Sequence, residues 1–114
     1  MFSVLLVTSD RDLREVATRV LTAAGFATTP AAHSGHALLA CLGPEQFDVL
    51  VIEEDDADKG GPVSRRLLRH QPDTRVVRIG RPGEGADLVR PFIADDLLAA
   101  VSLAAGRTPS SPWF

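Results

Sequence analysis

The chain has 114 residues, 45% of them apolar and 24% charged, and its formal net charge is −3. This length is typical of one domain, and the composition is that of an ordinary globular protein. The mildly acidic balance disfavours a nucleic-acid-binding role, because such proteins usually present a basic face. A single cysteine, Cys41, excludes an internal disulfide and a cysteine-based zinc site.

The first residues, Met1-Phe2-Ser3-Val4, have no basic stretch before the apolar run that follows. That run is too short for a signal peptide or a membrane span. A cytoplasmic location without membrane contact is therefore expected.

Short apolar runs alternate with amphipathic segments through the first half of the chain. Buried strands are predicted at residues 4–7 and 49–52, and a weaker strand at 26–29. Helical spacing predicts a helix that Gly25 ends, with Ser9 as its N-cap and Asp12 completing a capping box. A second, shorter helix is predicted to begin at Ser34 as its cap and to stop at Gly43.

The second half repeats this alternation. A helix is predicted to open at Pro62 and end near His70, followed by strands at 75–79 and 88–89. The last helix begins near Ala94, has Asp95 in its first turn and ends at Gly106. Residues 1–106 are thus predicted to form one domain, and 107–114 a Pro/Ser tail.

Strands alternating with helices predict a parallel sheet covered on both faces, with right-handed crossovers. Ligand chemistry in such sheets lies beyond the carboxyl ends of the strands. Those ends fall at residues 8–10, 53–55, 80–81 and 90–91.

Several motifs along residues 4–105 have the spacing of a known family: Val4-Leu5-Leu6-Val7 before Asp12-Leu13-Arg14, Ala24-Gly25-Phe26, Asp48-Val49-Leu50-Val51-Ile52, Gly61, Arg90-Pro91-Phe92 and Asp95-Asp96-Leu97-Leu98. With these motifs the chain resembles the receiver domains of two-component response regulators. The resemblance implies an α/β, flavodoxin-like, doubly wound five-stranded parallel sheet of order 2-1-3-4-5.

The residues that perform phosphate chemistry in that family are replaced here. The acidic pair that helps to hold a divalent metal falls on Thr8 and Ser9, and the phosphoacceptor aspartate falls on Glu53. Asp10 is either a substitute metal ligand or, as we favour, a plain helix cap. We expect no cofactor, and Mg²⁺ binding is disfavoured.

The switch positions of the family are also altered. The hydroxyl residue that contacts the phosphoryl group falls on Gly80, the aromatic residue on Asp87 and the lysine on Arg90. A glutamate imitates a phosphoaspartate in reach and charge, so Glu53 could pair permanently with Arg90. The alternative is that Glu53 is only a solvated acid of the cluster at residues 53–58, a cluster that lacks the ligand pattern of a calcium loop.

The family's fourth helix has no room in this sequence, because only residues 81–87 separate the last two strands. We predict that this helix is missing or reduced to a turn. Arg78 supports this, since a charge in a strand covered on both faces is costly. An uncovered contact surface is therefore predicted near the last two strands and the last helix, formed by Arg78, Arg81, Leu88, Leu97 and Val101.

These observations favour a stand-alone, atypical receiver that is not an enzyme and signals by phosphorylation-independent contact with a partner protein. A homodimer through the face formed by the fourth strand, the fifth strand and the last helix is a further expectation. One alternative is a receiver weakly phosphorylated at an acid near Glu53. Another is a small ligand-binding or enzymatic flavodoxin-like domain, although no phosphate loop or nucleotide fingerprint is present. The role of Trp113 and Phe114 in the tail stays open.

Overall fold

A computed structural model of the chain describes residues 2–53, 63–80 and 86–106, with the side chain of Val63 left out. The elements in order are β1 (Ser3–Val7), α1 (Arg11–Ala23), β2 (Ala27–Ala31), α2 (Ser34–Leu42), β3 (Val49–Glu53), α3 (Val63–Leu68), β4 (Arg75–Gly80), β5 (Leu88–Val89) and α4 (Ala94–Ala104). Every predicted strand and helix has a counterpart, displaced by a few residues at its ends. No helix within these ranges is both long and apolar enough to span a bilayer.

The strands form one parallel five-stranded sheet of order β2-β1-β3-β4-β5, which confirms the predicted flavodoxin-like topology. Its register aligns Val7 with Ile52, and Gly80 with Val89. The residues that follow β1, β3, β4 and β5 therefore meet at one edge of the sheet, as parallel pairing requires.

Alternating strand residues build a separate core on each face of the sheet. One core joins the sheet to α1 and α4, and the other joins it to α2 and α3. Val4 and Leu6 of β1 face the first core, whereas Leu5 and Val7 face the second. This period of two explains why the central strands are apolar at every position.

The structure decides between the two caps suggested for α1 and corrects the one suggested for α2. In α1 the carboxylate of Asp10, not the hydroxyl of Ser9, accepts the Leu13 N–H at 3.1 Å. In α2 the ring nitrogen Nδ1 of His33 accepts the Gly35 N–H at 3.1 Å, so Ser34 is already the first helical residue. An unprotonated imidazole nitrogen is an acceptor and satisfies the same orphan amide as a hydroxyl.

The connection from β4 to β5 is described only in part. The predicted loss of a helix there concerns residues 81–85, which lie outside the described ranges, and Ala86 and Asp87 are not helical. Asp87 extends the pairing of β5: its N–H donates to the Arg78 carbonyl at 3.0 Å, and its carboxylate accepts the Arg78 N–H at 2.9 Å.

A buried glutamine ties the loops at the opposite edge of the sheet together. The side chain of Gln71 accepts the Phe47 N–H at 3.0 Å and donates to the carbonyls of Cys41 at 3.1 Å and Glu45 at 2.9 Å. Its amide thus satisfies three backbone groups at once. Because those groups belong to the last turn of α2 and to the segment that leads from it into β3, Gln71 holds the approach to β3 in place.

Replacing this glutamine tests that role. Gln71→Ala leaves two buried backbone groups and one part-buried carbonyl without their partner, so we expect the free energy of unfolding to fall by about 2–3 kcal/mol. Urea denaturation of both proteins measures the loss. The matched control is Gln46→Ala, at an exposed position, which should stay within about 0.5 kcal/mol of the parent. Equal stability of the two variants would contradict the account.

Candidate functional site

The last residue of β3, Glu53, lies at the carboxyl edge of the sheet with its side chain 23% exposed. The buried residue Thr8, which follows β1, donates its hydroxyl to Glu53 Oε1 at 2.9 Å. The same hydroxyl oxygen accepts the Asp10 N–H at 3.1 Å. Thr8 therefore uses its hydroxyl to hold the carboxylate that follows β3.

A guanidinium group from the residue after β5 holds the same carboxylate. Arg90 Nε lies 2.6 Å from Glu53 Oε2, and Arg90 Nη2 lies 3.2 Å from Oε1. This two-pronged geometry is the arrangement in which arginine and carboxylate interact most strongly. The ion pair predicted between Glu53 and Arg90 is present, and the alternative of a merely solvated Glu53 is wrong.

A second carboxylate shares the arginine. Asp10 Oδ2 lies 3.0 Å from Arg90 Nη2, while Oδ1 accepts the Leu13 N–H. The hydrogen bond from Leu13, followed by the one from Arg90, lowers the pKa of Asp10 below its ordinary value. Of the two roles considered for Asp10, the structure places it as the helix cap and adds the ion pair, which the sequence did not suggest.

The first turn of α1 contributes one further contact. Arg14 Nη1 donates to the Thr8 carbonyl at 3.0 Å and so anchors the chain where it leaves β1. This residue was not among the predicted site residues. The sequence offered one signal that Arg14 could lie near this site. It is four residues from Asp10, and residues four apart lie on one face of a helix.

The other predicted positions contribute little to this cluster. Gly80 supplies only backbone, and its carbonyl accepts the Arg90 N–H at 3.3 Å. Ser9 is exposed, and Asp87 uses its carboxylate on the Arg78 N–H rather than on Arg90. The structure thus brings together Thr8, Asp10, Glu53 and Arg90.

The donor set at this edge does not fit a divalent metal as it stands. Magnesium takes carboxylate oxygens, but both oxygens of Glu53 and Oδ2 of Asp10 contact the guanidinium of Arg90, and Oδ1 of Asp10 accepts the Leu13 N–H. Within the described ranges, no group of three or more His, Cys, Asp or Glu residues could hold a metal ion. The acidic cluster considered as a metal site continues through residues 54–58, which lie outside those ranges.

The predicted contact surface needs correction. Leu88, Leu97 and Val101 are buried in the core shared with α1, so their side chains are unavailable to a partner. Arg78 is exposed and reaches Ser64 Oγ at 3.5 Å, and Arg81 lies outside the described ranges. The apolar spacing of α4 marked its core face, and the exposed apolar residues near it include Val89, Ile93 and Leu103.

Several solved structures that share this fold are described as chemotaxis or response-regulator proteins. The chemotaxis protein CheY4 of Vibrio cholerae superposes with a TM-score of 0.77 and 22% identity, covering 91% of this chain and 98% of that one. A response regulator receiver domain protein of Clostridium thermocellum superposes with a TM-score of 0.78 and 20% identity, covering 94% of this chain and 96% of that one. A response regulator of Thermotoga maritima superposes with a TM-score of 0.78 and 21% identity, covering 93% of this chain and 98% of that one.

At these identities the similarity shows the fold. The chain therefore has the flavodoxin-like fold of response-regulator receiver domains. No protein-family model and no curated protein matches the sequence.

Titration of Asp10 tests the shared arginine. In the parent the Asp10 pKa should lie below the ordinary value of 3.8, and in Arg90→Met it should rise but stay depressed, because the Leu13 N–H remains. NMR titration of the carboxyl carbon measures both values. Arg69→Met, an exposed charge elsewhere, is the control and should leave the Asp10 pKa unchanged.

The lowered pKa of Asp10 determines the direction in which the stability of the fold should change with pH. A group with a depressed folded-state pKa stabilises the fold above its unfolded pKa, and this stability is lost as pH falls through the folded pKa. The parent should therefore lose more stability than Arg90→Met on acidification below the unfolded-state value. The same loss in both proteins would contradict a contribution of Arg90.

Proposed function

We propose that this chain is an atypical receiver module that signals by protein contact and not by phosphotransfer. The observation that carries the proposal is that both carboxylate oxygens of Glu53 already have partners, which are Arg90 and Thr8. The interaction that phosphorylation would bring to a receiver, a charged group bound by a cation across the sheet edge, is here supplied by the sequence itself.

Phosphotransfer to a carboxylate requires one of its oxygens to approach phosphorus, and positive charge to stabilise the transferred group. Both oxygens of Glu53 are held by hydrogen bonds that would have to shift before either could attack, and the nearby cation, Arg90, is already shared between two carboxylates. Gly80 cannot supply the hydroxyl that would bind the phosphoryl oxygens. We therefore expect neither stable phosphorylation nor tight Mg²⁺ binding at this edge.

The function that remains for such a domain is non-enzymatic recognition of a partner protein in the cytosol. The face that includes the exposed residues Val89 and Leu103 offers apolar area for this contact. A homodimer through the same face is compatible with the proposal, and neither nucleic acid nor a membrane is an expected partner.

Exposure to acetyl phosphate and Mg²⁺ tests the proposal. In a phosphorylatable receiver a carboxylate oxygen bonds to phosphorus while the bond to acetate breaks and acetate leaves. We expect the intact mass of this chain to stay unchanged, because Glu53 is engaged and Gly80 has no hydroxyl. A mass gain of one phosphoryl group that disappears in Glu53→Ala would overturn the proposal.

A variant carrying the family's residues provides the positive control. It combines Thr8→Asp, Ser9→Asp, Glu53→Asp, Gly80→Thr and Arg90→Lys. Since these changes restore the acidic pair, the acceptor, the hydroxyl and the lysine, we expect this variant to gain the mass of one phosphoryl group under the same conditions. Modification of the parent to the same extent would show that the replaced residues do not block phosphotransfer.

A further inference from the structure

One long stretch of the chain contains no charged residue. No Asp, Glu, Lys or Arg occurs from Val20 to Pro44, although these residue types make up 24% of the chain. The stretch includes all of β2 and all of α2. Because β2 is an edge strand and α2 packs against it, the two elements form the side of the domain opposite to β5. They contribute no fixed charge to that side.

The helix on this side exposes its large apolar residues. α2 buries Ala37 and Cys41 against the sheet. Its Leu39 and Leu42 are 69% and 58% exposed, and Leu38 is also exposed. Because residues three and four apart are neighbours on a helix surface, these three leucines form one leucine patch. An amphipathic helix normally turns such residues towards the core, so the packing of the domain itself does not account for the patch.

The backbone of β2 is poorly suited to pairing with another strand. The Ala27 N–H and the Ala31 carbonyl bond to the residues that flank β1, at 2.9 and 3.1 Å. The alternate residues Thr28 and Pro30 therefore direct their backbone groups outwards. Pro30 has no N–H, and a proline on an edge strand hinders strand addition. A partner on this side would therefore contact α2 rather than extend the sheet.

The chain around β2 and α2 is described without a break from residue 2 to residue 53. The described ranges break after β3, in the connection from β4 to β5 and after α4. The strands β3, β4 and β5 lie on the other side of β1 from β2, and α4 contacts these three strands. All neighbours of β2 and α2 in the sheet and in the sequence are thus described.

We propose that the leucine patch of α2 packs against the same patch of a second copy of the chain, around a two-fold axis. Charge favours this occupant. Each chain has a net charge of −3, so two copies approach most readily through a side whose elements carry no fixed charge. A charged partner would find no complementary residue in β2 or α2. In a two-fold interface each leucine occurs twice, which doubles the apolar contact.

The small size of this side predicts a weak dimer. A stable interface contains about 20–30 residues on each side, which is more than β2, α2 and the loop between them provide. The contact is distinct from a homodimer through the face with Val89 and Leu103, because α2 and α4 cover opposite faces of the sheet. The inference goes beyond the proposed function, and its test involves no phosphate.

Sedimentation equilibrium of the full chain tests the proposal. As the concentration rises from about 10 µM to about 1 mM, the average mass should rise from that of one chain towards that of two. In the ¹⁵N-labelled chain the amide signals of Leu38, Leu39 and Leu42 should shift over the same range. Both measurements should give the same dissociation constant.

Three substitutions locate the interface. Leu39→Lys removes an apolar contact from both copies and brings two like charges into the interface, so the dissociation constant should rise about tenfold or more. Leu39→Met keeps the apolar character and the size of the side chain, and should stay within about threefold of the parent. The matched control is Leu103→Lys on α4, where the leucine is 78% exposed, and it should stay within about twofold.

A chain that stays monomeric up to about 1 mM would overturn the proposal, whatever covers the leucines. Equal weakening by both lysine variants, or weakening by Leu103→Lys alone, would also overturn it, and the second result would assign the dimer to the face with Val89 and Leu103. Amide shifts confined to β2 would indicate strand pairing and would contradict the contact through α2. Phosphorylation of the chain would overturn the proposed function while leaving the dimer measurement intact.

Discussion

The ion pair between Glu53 and Arg90 is the interaction on which the account depends. It joins the end of β3 to the residue after β5. Because β4 lies between those two strands, the pair crosses the carboxyl end of β4. Thr8 holds the same carboxylate from the side of β1, so three strand ends meet in one hydrogen-bonded cluster. The parallel register makes this convergence possible, because it brings all carboxyl ends to the same edge.

The proposed insensitivity to phosphate follows from the charge balance of this cluster. Two carboxylates, those of Asp10 and Glu53, share the guanidinium of Arg90. A phosphoryl group would add negative charge beside an edge whose cation is already engaged, and transfer would require breaking the bonds to Glu53. A metal ion would have to displace the guanidinium of Arg90, which lies between the carboxylates of Asp10 and Glu53. In the proposed function, the contacts that hold Glu53 are therefore also the ones that prevent a phosphoryl group from switching the site.

Much of the fold could be predicted because local patterns determined it. Fully apolar strands such as residues 49–52 indicated a sheet covered on both faces, and Gly25 marked a helix end that the structure confirms with a positive φ of 94°. The cap of α2 was harder, because His33 acts through side-chain geometry that spacing does not reveal, whereas Asp10 was already favoured as a cap.

The site was predictable in its positions and less so in its contacts. Glu53 and Arg90 could be paired because both follow strands of one sheet, whereas the anchoring of Thr8 by Arg14 depends on how α1 leaves β1. Leu97 and Val101 were assigned to a contact surface, but packing against α1 and the sheet buries them. Sequence spacing shows that residues share a helix face, and only the neighbouring elements decide whether that face is covered.

A double-mutant cycle between Glu53 and Arg90 tests the central claim most directly. Urea unfolding of the parent, Glu53→Gln, Arg90→Met and the double variant gives the coupling energy of the pair. Because both side chains are partly exposed, solvent screening limits the expected coupling to about 1 kcal/mol, the upper part of the range for accessible pairs with good geometry. Effects that add within about 0.3 kcal/mol would show that the pair contributes nothing and would contradict the account.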